Sequence, residues 1–320
     1  MHLLLAAGFT FTGLIQQVVS GAGAGAVYAT LALALVLIYR AMDVANFAQG
    51  EMAMFSTYIA YALVGGDFGL LGTKLGFNGL HLGLPQAFWI AFAIAVVASF
   101  GLGILIERVL IRPFEGAPLL TLVIVTLGLF SIVNGLAGFN WGYVFKTFCC
   151  PFPQSAVNAG GVSFNYTDLG IIAVTVVILV AMAVFFRYTK LGLAMRAASL
   201  YPESSRLVGV RTSWMLALGW GLSAAVGAVS GILVAPVVFL DPNMMQSVLL
   251  FAFAAAVLGG IESPVGAVVG ALLIGILLAL VGTYIPGGEN LRTPFALLII
   301  VVVLLLRPAG LLGRPETRRV

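Results

Sequence analysis

Apolar stretches of membrane-crossing length recur along the whole chain, separated by short polar breaks. Residues 11–39, 212–240 and 263–288 contain no Asp, Glu, Lys or Arg, and a bilayer core takes about 20 apolar residues per helix. The breaks predict eight or nine membrane segments, at 13–39, 45–65, 86–107, 118–140, 168–187, 213–238, 246–260, 264–284 and 293–307. The segment at 246–260 is short and ends in Gly259-Gly260-Ile261-Glu262-Ser263-Pro264, so it reads either as a thin span or as a re-entrant half-helix. The pattern predicts an all-α, polytopic transmembrane helical bundle in which residues 1–320 form a single membrane domain.

Composition and charge add orientation to this picture. Hydrophobic residues make up 62% and charged residues 8%, against about 25% charged in a soluble domain, and mean hydropathy is +1.15. If the first segment runs from outside to inside, Lys74, Lys146 and Arg292 fall on one face and the other twelve of the 15 basic residues on the opposite face. The positive-inside rule makes the richer face cytoplasmic. The N-terminus is then outside and the tail at 308–320 cytoplasmic, which requires an odd number of crossings. The net charge of +4 reflects this topology; the basic residues are scattered among short loops and form no nucleic-acid surface. Met1–Thr10 carries no Lys or Arg, whereas a cleaved signal peptide begins with a basic region, so the first segment is expected to be a retained helix.

Several motifs are decoys. Gly21-Ala22-Gly23-Ala24-Gly25-Ala26 fits a dinucleotide fingerprint, but that motif needs a preceding strand. Inside an apolar helix, Gly21 and Gly25 form instead a G-x-x-x-G pair that lets two helix backbones approach closely. There is no P-loop. His2 and His81 are far apart, so no metal site is expected. Cys149 and Cys150 are adjacent; a vicinal disulfide is strained, and two small loop residues are the simpler expectation. No catalytic constellation can be assembled, and the chain is not expected to be an enzyme.

Two regions carry polar groups that an apolar bundle does not need. The second segment opens with Asp43-Val44-Ala45-Asn46-Phe47-Ala48-Gln49-Gly50-Glu51. Polar side chains in hydrocarbon are costly unless they face the bundle or water. Asn46, Gln49 and Glu51 therefore either cap a helix in cytoplasmic solvent or line a translocation path. The stretch from Arg187 to Arg211 is a charged island between spanning segments. Helix formers fill residues 192–200, Pro202 suits the first position of a second short helix, Glu203 suits its dipole, Arg206 lies within side-chain reach of Glu203, and Gly209 suits its C-terminus. Two short helices bearing the small residues Ala197, Ala198, Ser199, Ser204 and Ser205 are expected on the cytoplasmic face, as a shallow docking surface.

The pattern Arg196-Ala197-Ala198-Ser199-x-x-Pro202-Glu203-x-x-Arg206-Leu207-x-Gly209-Val210 resembles the coupling-helix region of importer-type ABC permeases. Leu37-Ile38-Tyr39 through Asn46-Phe47-Ala48-Gln49-Gly50-Glu51 resembles the second-helix signature of the branched-chain amino acid permease family, which usually has His where Gln49 stands. Gly259-Gly260-Ile261-Glu262-Ser263-Pro264-x-Gly266-Ala267 and Arg307-Pro308-x-Gly310-Leu311-x-Gly313 are similar to further segments of that family. The resemblance implies a permease subunit in the bacterial inner membrane, forming the path for leucine, isoleucine and valine. Urea, amides or another small polar solute moved by the same mechanism, or a stand-alone channel or carrier, are the alternatives. The implied partners are two cytoplasmic ABC ATPase subunits that bind ATP and Mg, a second homologous permease forming a heterodimer, and a periplasmic binding protein. This chain binds no cofactor itself. ATPase coupling falls to Arg196, Ala197, Ala198, Pro202, Glu203, Arg206 and Gly209, the path to Asn46, Gln49 and Glu51, and hinge or packing roles to Gly21, Gly25, Gly259, Gly260 and Pro264.

Overall fold

A computed structural model describes residues 10–65, 67–75, 85–148, 152–153, 155–159 and 162–313. His2, His81, Cys149, Cys150 and the part of the tail beyond Gly313 lie outside the described residues. The helices are α1 (Phe11–Met42), α2 (Gln49–Gly65), α3 (Gly69–Leu75), α4 (Pro85–Ile106), α5 (Leu119–Trp141), α6 (Tyr166–Tyr188), α7 (Lys190–Leu200), α8 (Pro202–Leu207), α9 (Thr212–Val238), α10 (Met245–Gly259), α11 (Pro264–Tyr284) and α12 (Gly288–Leu306). Seven of them, α1, α4 with its C-terminal extension, α5, α6, α9, α11 and α12, are long and apolar enough to cross a membrane. Of the five shorter helices, α2 and α10 have 17 and 15 residues. The chain is an all-α polytopic membrane protein, and its helices coincide with the nine predicted segments to within a few residues. Between α5 and α6 lies a small feature that hydropathy does not register. Strands β1 (Ala156–Ala159) and β2 (Val162–Asn165) pair antiparallel, with Ala156 opposite Asn165.

The described residues form two compact units interleaved in sequence. Unit 1 comprises Met1–Val36, Phe152–Val176 and Ser247–Val320, and unit 2 comprises Leu37–Pro151 and Val177–Gln246.

Unit 1 is packed through backbones. A Cβ on Gly21 would lie 2.7 Å from the Cα of Ile276, and one on Gly25 would lie 2.9 Å from the carbonyl oxygen of Ala271. Small residues thus let α1 and α11 cross at backbone contact, the favoured way to join helices where lipid removes the hydrophobic drive. The turn from α10 to α11 is as tight. Gly259 faces the carbonyl of Gly266, Gly260 takes φ +107° against the backbone of Gly313, Ser263 caps α11 by accepting from the Gly266 N–H at 3.0 Å, and Pro264 occupies its first turn. The segment after α12 returns to this corner, where Leu311 and Leu312 N–H groups donate to the carbonyls of Leu258 and Gly259 at 2.8 and 2.9 Å.

Unit 2 is built around α9, which packs on α4 and α2, while α2 also packs on α4 and α5. In α9, 78% of the most apolar window is buried, against 17% in α5. The peripheral helix exposes Leu120, Ile124, Leu127, Ile132 and Leu136, a surface suited to hydrocarbon and not to water.

Candidate translocation site

The start of α2 is held by residues well inside α9 and α5. After Met42 the chain turns at Asp43, whose φ of +55° lies in the left-handed region that Asp tolerates better than most residues. Asn46 then closes an Asx turn, its Oδ1 accepting from the Ala48 N–H at 3.0 Å, and α2 begins at Gln49. Gln49 Nε2 donates to the carbonyl of Ser223 at 3.0 Å, and Ser223 Oγ donates back to Gln49 Oε1 at 3.1 Å. Ser223 is about three turns inside α9. Asn134, the partner of Glu51 at 3.2 Å, is about four turns inside α5. The helix therefore opens midway along the bundle. Asn46, Gln49 and Glu51 are 1%, 0% and 1% exposed, and a cap in solvent does not fit them.

Burying Asn46 and Gln49 is tolerable because their amides are hydrogen-bonded within the unit. Asn46 Nδ2 donates to Gln49 Oε1 at 3.2 Å, and the Gln49 amide is held from both sides by Ser223. Gly227 makes the room: a Cβ there would sit 2.5 Å from Gln49 Nε2. Two turns beyond Gln49 on α2, Ser99 donates a hydroxyl–hydroxyl hydrogen bond to Ser56. Glu51 points into a different neighbourhood. Asn134 Nδ2 lies also 2.9 Å from the carbonyl of Pro242 and 3.2 Å from Asn243 Oδ1, and Asn134 Oδ1 accepts from the Tyr143 hydroxyl at 3.0 Å. The turn carrying Pro242 and Asn243 follows Phe239, an aromatic residue at φ +64°. That conformation is costly for such a side chain, and the turn is fixed by reciprocal backbone hydrogen bonds of 2.9 Å between Leu240 and Lys146.

The charged island folds as two short helices. Thr189 caps α7 by accepting from the Gly192 N–H at 3.0 Å. Pro202 opens α8, and Gly209 at φ +84° closes it, with the Val210 N–H returning to the carbonyl of Ser205 at 2.9 Å. Glu203 and Arg206 form an exposed ion pair at 3.5 Å, and Arg206 Nε donates to Thr212 Oγ1 at 3.1 Å. Sequence reasoning expected a surface of small residues. The structure exposes Ser199 and Ser204 but buries Ser205 and half-buries Ala197 and Ala198, while Leu200, Tyr201, Leu207 and Val208 project as an exposed apolar knuckle. They cluster at the two ends of six-residue α8.

One buried charge was not singled out from sequence. Glu107, 0% exposed, makes a two-pronged ion pair with Arg112, at 3.0 and 3.3 Å, and Arg112 also reaches the carbonyl of Ser213 at 3.3 Å. Arg108 stacks over Trp214 at 4.6 Å. Together they lock the end of α4 to the start of α9. The pair is five residues apart, a spacing that an α-helix does not bring together. Residues Glu107–Ile111 are wound as a π-helix, whose wider turn brings i and i+5 onto one side. Helical-wheel logic therefore misses it.

The family described as branched-chain amino acid transport system, permease component, matches residues 17–306. The chain belongs to this family of branched-chain amino acid transport permeases. It is 30% identical over 311 residues to the high-affinity branched-chain amino acid transport system permease protein BraD of Pseudomonas aeruginosa, covering 96% of this chain and 98% of that protein. It is 30% identical over 323 residues to the corresponding LivH protein of Escherichia coli K12, covering 97% and 99%. Among solved structures, PsaBC from Streptococcus pneumoniae in complex with Fab aligns with a TM-score of 0.44 at 12% identity over 96% of each chain. The permease match runs through every helix from α1 to α12, so both the polar start of α2 and the α7–α8 loop belong to the matched region.

Proposed function

We propose that this chain is the membrane subunit of a bacterial ABC importer for leucine, isoleucine and valine. The near-full-length similarity to two branched-chain amino acid permeases carries the substrate class. It sits in the inner membrane with its N-terminus outside and its C-terminus in the cytoplasm. Residues 1–320 act as one permease domain beside a second, homologous permease, and a periplasmic binding protein delivers the solute. ATP and Mg bind to two cytoplasmic ATPase subunits, and this chain performs no hydrolysis. The parallel course of α2 and α5, in which Glu51 meets Asn134 and Tyr58 stacks on Trp141 seven residues further along each helix, supports the topology, which has both helices running outward.

The α7–α8 loop transmits ATPase closure to the bundle. Arg196, Ala197, Ala198, Pro202, Glu203, Arg206 and Gly209 shape it, and the exposed knuckle of Leu200, Tyr201, Leu207 and Val208 enters the ATPase. Asn46, Gln49 and Glu51 lie beside the path, while Gly21, Gly25, Gly259, Gly260 and Pro264 set the close packing on which alternating access depends. The test is to express the tagged chain with its neighbouring genes, purify it in mild detergent and assay uptake in vesicles. An ATPase and a second permease should co-purify and leucine should be taken up. Arg206→Glu and Gly209→Trp, the latter strained at a positive φ, should lose the ATPase subunits. A chain that purifies alone from cells producing all neighbours would favour a self-sufficient carrier, and uptake of urea without leucine would move the substrate class.

A further inference from the structure

The surroundings of Glu51 are rich in acceptors and poor in donors. The Asn134 amide has two N–H groups but stands within hydrogen-bond distance of three acceptors: the Glu51 carboxylate, the Pro242 carbonyl and Asn243 Oδ1. The Tyr143 hydroxyl on Asn134 Oδ1 fixes the amide so that its NH2 faces them. Glu51 forms no ion pair among the described residues. Asp241 lies in the same turn, its Oδ2 accepting from the Asn243 N–H at 3.1 Å. Tyr58 shares a face of α2 with Glu51, two turns on. Its side chain is 0% exposed and its hydroxyl has no hydrogen-bond partner among the described residues. The cluster grades outward from buried Glu51 through half-buried Asn134 to exposed Asn243 and Gln246.

A buried carboxylate that lacks a cation is costly, and intramembrane carboxylates face a pathway or a partner. What would satisfy this cluster is a positively charged group carrying several N–H donors. A primary ammonium has three. The geometry points to Glu51, Asp241, Asn134 and Tyr58 as a recognition site for the α-ammonium group of the amino acid in transit. This rests on the amino acid substrate class proposed above. Asn134, Asp241 and Tyr58 are specificity-determining side chains that hydropathy and motif reading pass over. Leu, Ile and Val share the ammonium, so such a site selects amino acids as a class and leaves side-chain choice to other groups.

The experiment measures leucine uptake by the fully assembled transporter in proteoliposomes, at equal recovery of complex, for the wild type, Glu51→Gln, Glu51→Asp and Asp241→Asn. Loss of a charge-assisted contact should lower uptake about tenfold in Glu51→Gln and Asp241→Asn, and less in Glu51→Asp. Uptake by Glu51→Gln and Asp241→Asn within about twofold of wild type would overturn the site. If Glu51→Gln fails to assemble, Asp241→Asn, which keeps the acceptor for the Asn243 N–H, carries the test alone. Wild-type uptake that disappears when choline replaces Na⁺ and K⁺, and returns with either, assigns the cluster to an inorganic cation and overturns the ammonium assignment. The substrate class fails separately: it falls if the wild-type complex imports urea or an amide and no branched-chain amino acid.

Discussion

Glu107 and Glu51 are both removed from solvent, at 0% and 1% exposure, and both belong to unit 2, yet they differ in what faces the charge. Glu107 meets a two-pronged guanidinium that also reaches the neighbouring helix. Glu51 meets one amide whose two N–H groups serve three acceptors. The first arrangement closes its electrostatics within the chain and fixes two helices together. The second leaves a buried acid with no cation among the described residues midway along the bundle. Two buried acids on one scaffold thus separate a charge that joins two helices from one that we propose meets a group outside the chain.

The comparison can be broken most forcefully at Arg112. Arg112→Ala should destabilise the protein in detergent by about 3 kcal/mol, the low end for breaking a buried pair because this arginine is partly exposed, as read from denaturant or thermal unfolding. Replacing both partners by Leu should recover most of that loss; failure to recover would mean that the pair matters for more than charge balance. Next in size is Gly227→Val, which forces a side chain against Gln49 and should cost about 1–3 kcal/mol by overpacking, seen as a lower melting temperature.

Glu51→Gln sharpens the contrast with the opposite sign. Neutralising an unpaired acid while keeping an acceptor for Asn134 should leave the melting temperature of the substrate-free protein unchanged or raise it, by about 1 kcal/mol or less. A loss like that of Arg112→Ala would show Glu51 to be structural as well. The smallest effect is at the loop between α2 and α3. There the Lys146 ammonium donates to Asp67 at 2.8 Å and holds that carboxyl below its usual value. A folded-state pKa lowered in this way gives stability that is present above the ordinary carboxylate range and lost as pH falls through the folded value. Because the carboxylate is 39% exposed, the pair is worth about 0.5 kcal/mol. Lys146→Met should therefore melt slightly below wild type at neutral pH, and the gap should close in acid.

The segments were legible because the bilayer imposes length and apolarity on each helix separately, so the pattern from Phe11 to Leu306 announces itself locally. The α7–α8 pair was legible for the same local reason: Pro202 and Gly209 are start and stop signals within one short stretch. The polar start of α2 was visible as an anomaly, but its place was not. Sequence puts Asn46 at the beginning of a segment and so at an interface; packing puts it beside the middle of α9. Gly227, which makes this possible, lies far away in sequence.

The sequence by itself determined the class, the helices and the family, because these depend on runs of adjacent residues and on motifs read in order. Only the tertiary structure decided which buried charges are paired. The Glu107–Arg112 contact depends on a π-wound turn, and the Glu51 cluster joins residues from α2, α5 and the turn after α9. Electrostatic satisfaction is set by distances across the bundle, and hydropathy along the chain carries no information about those distances.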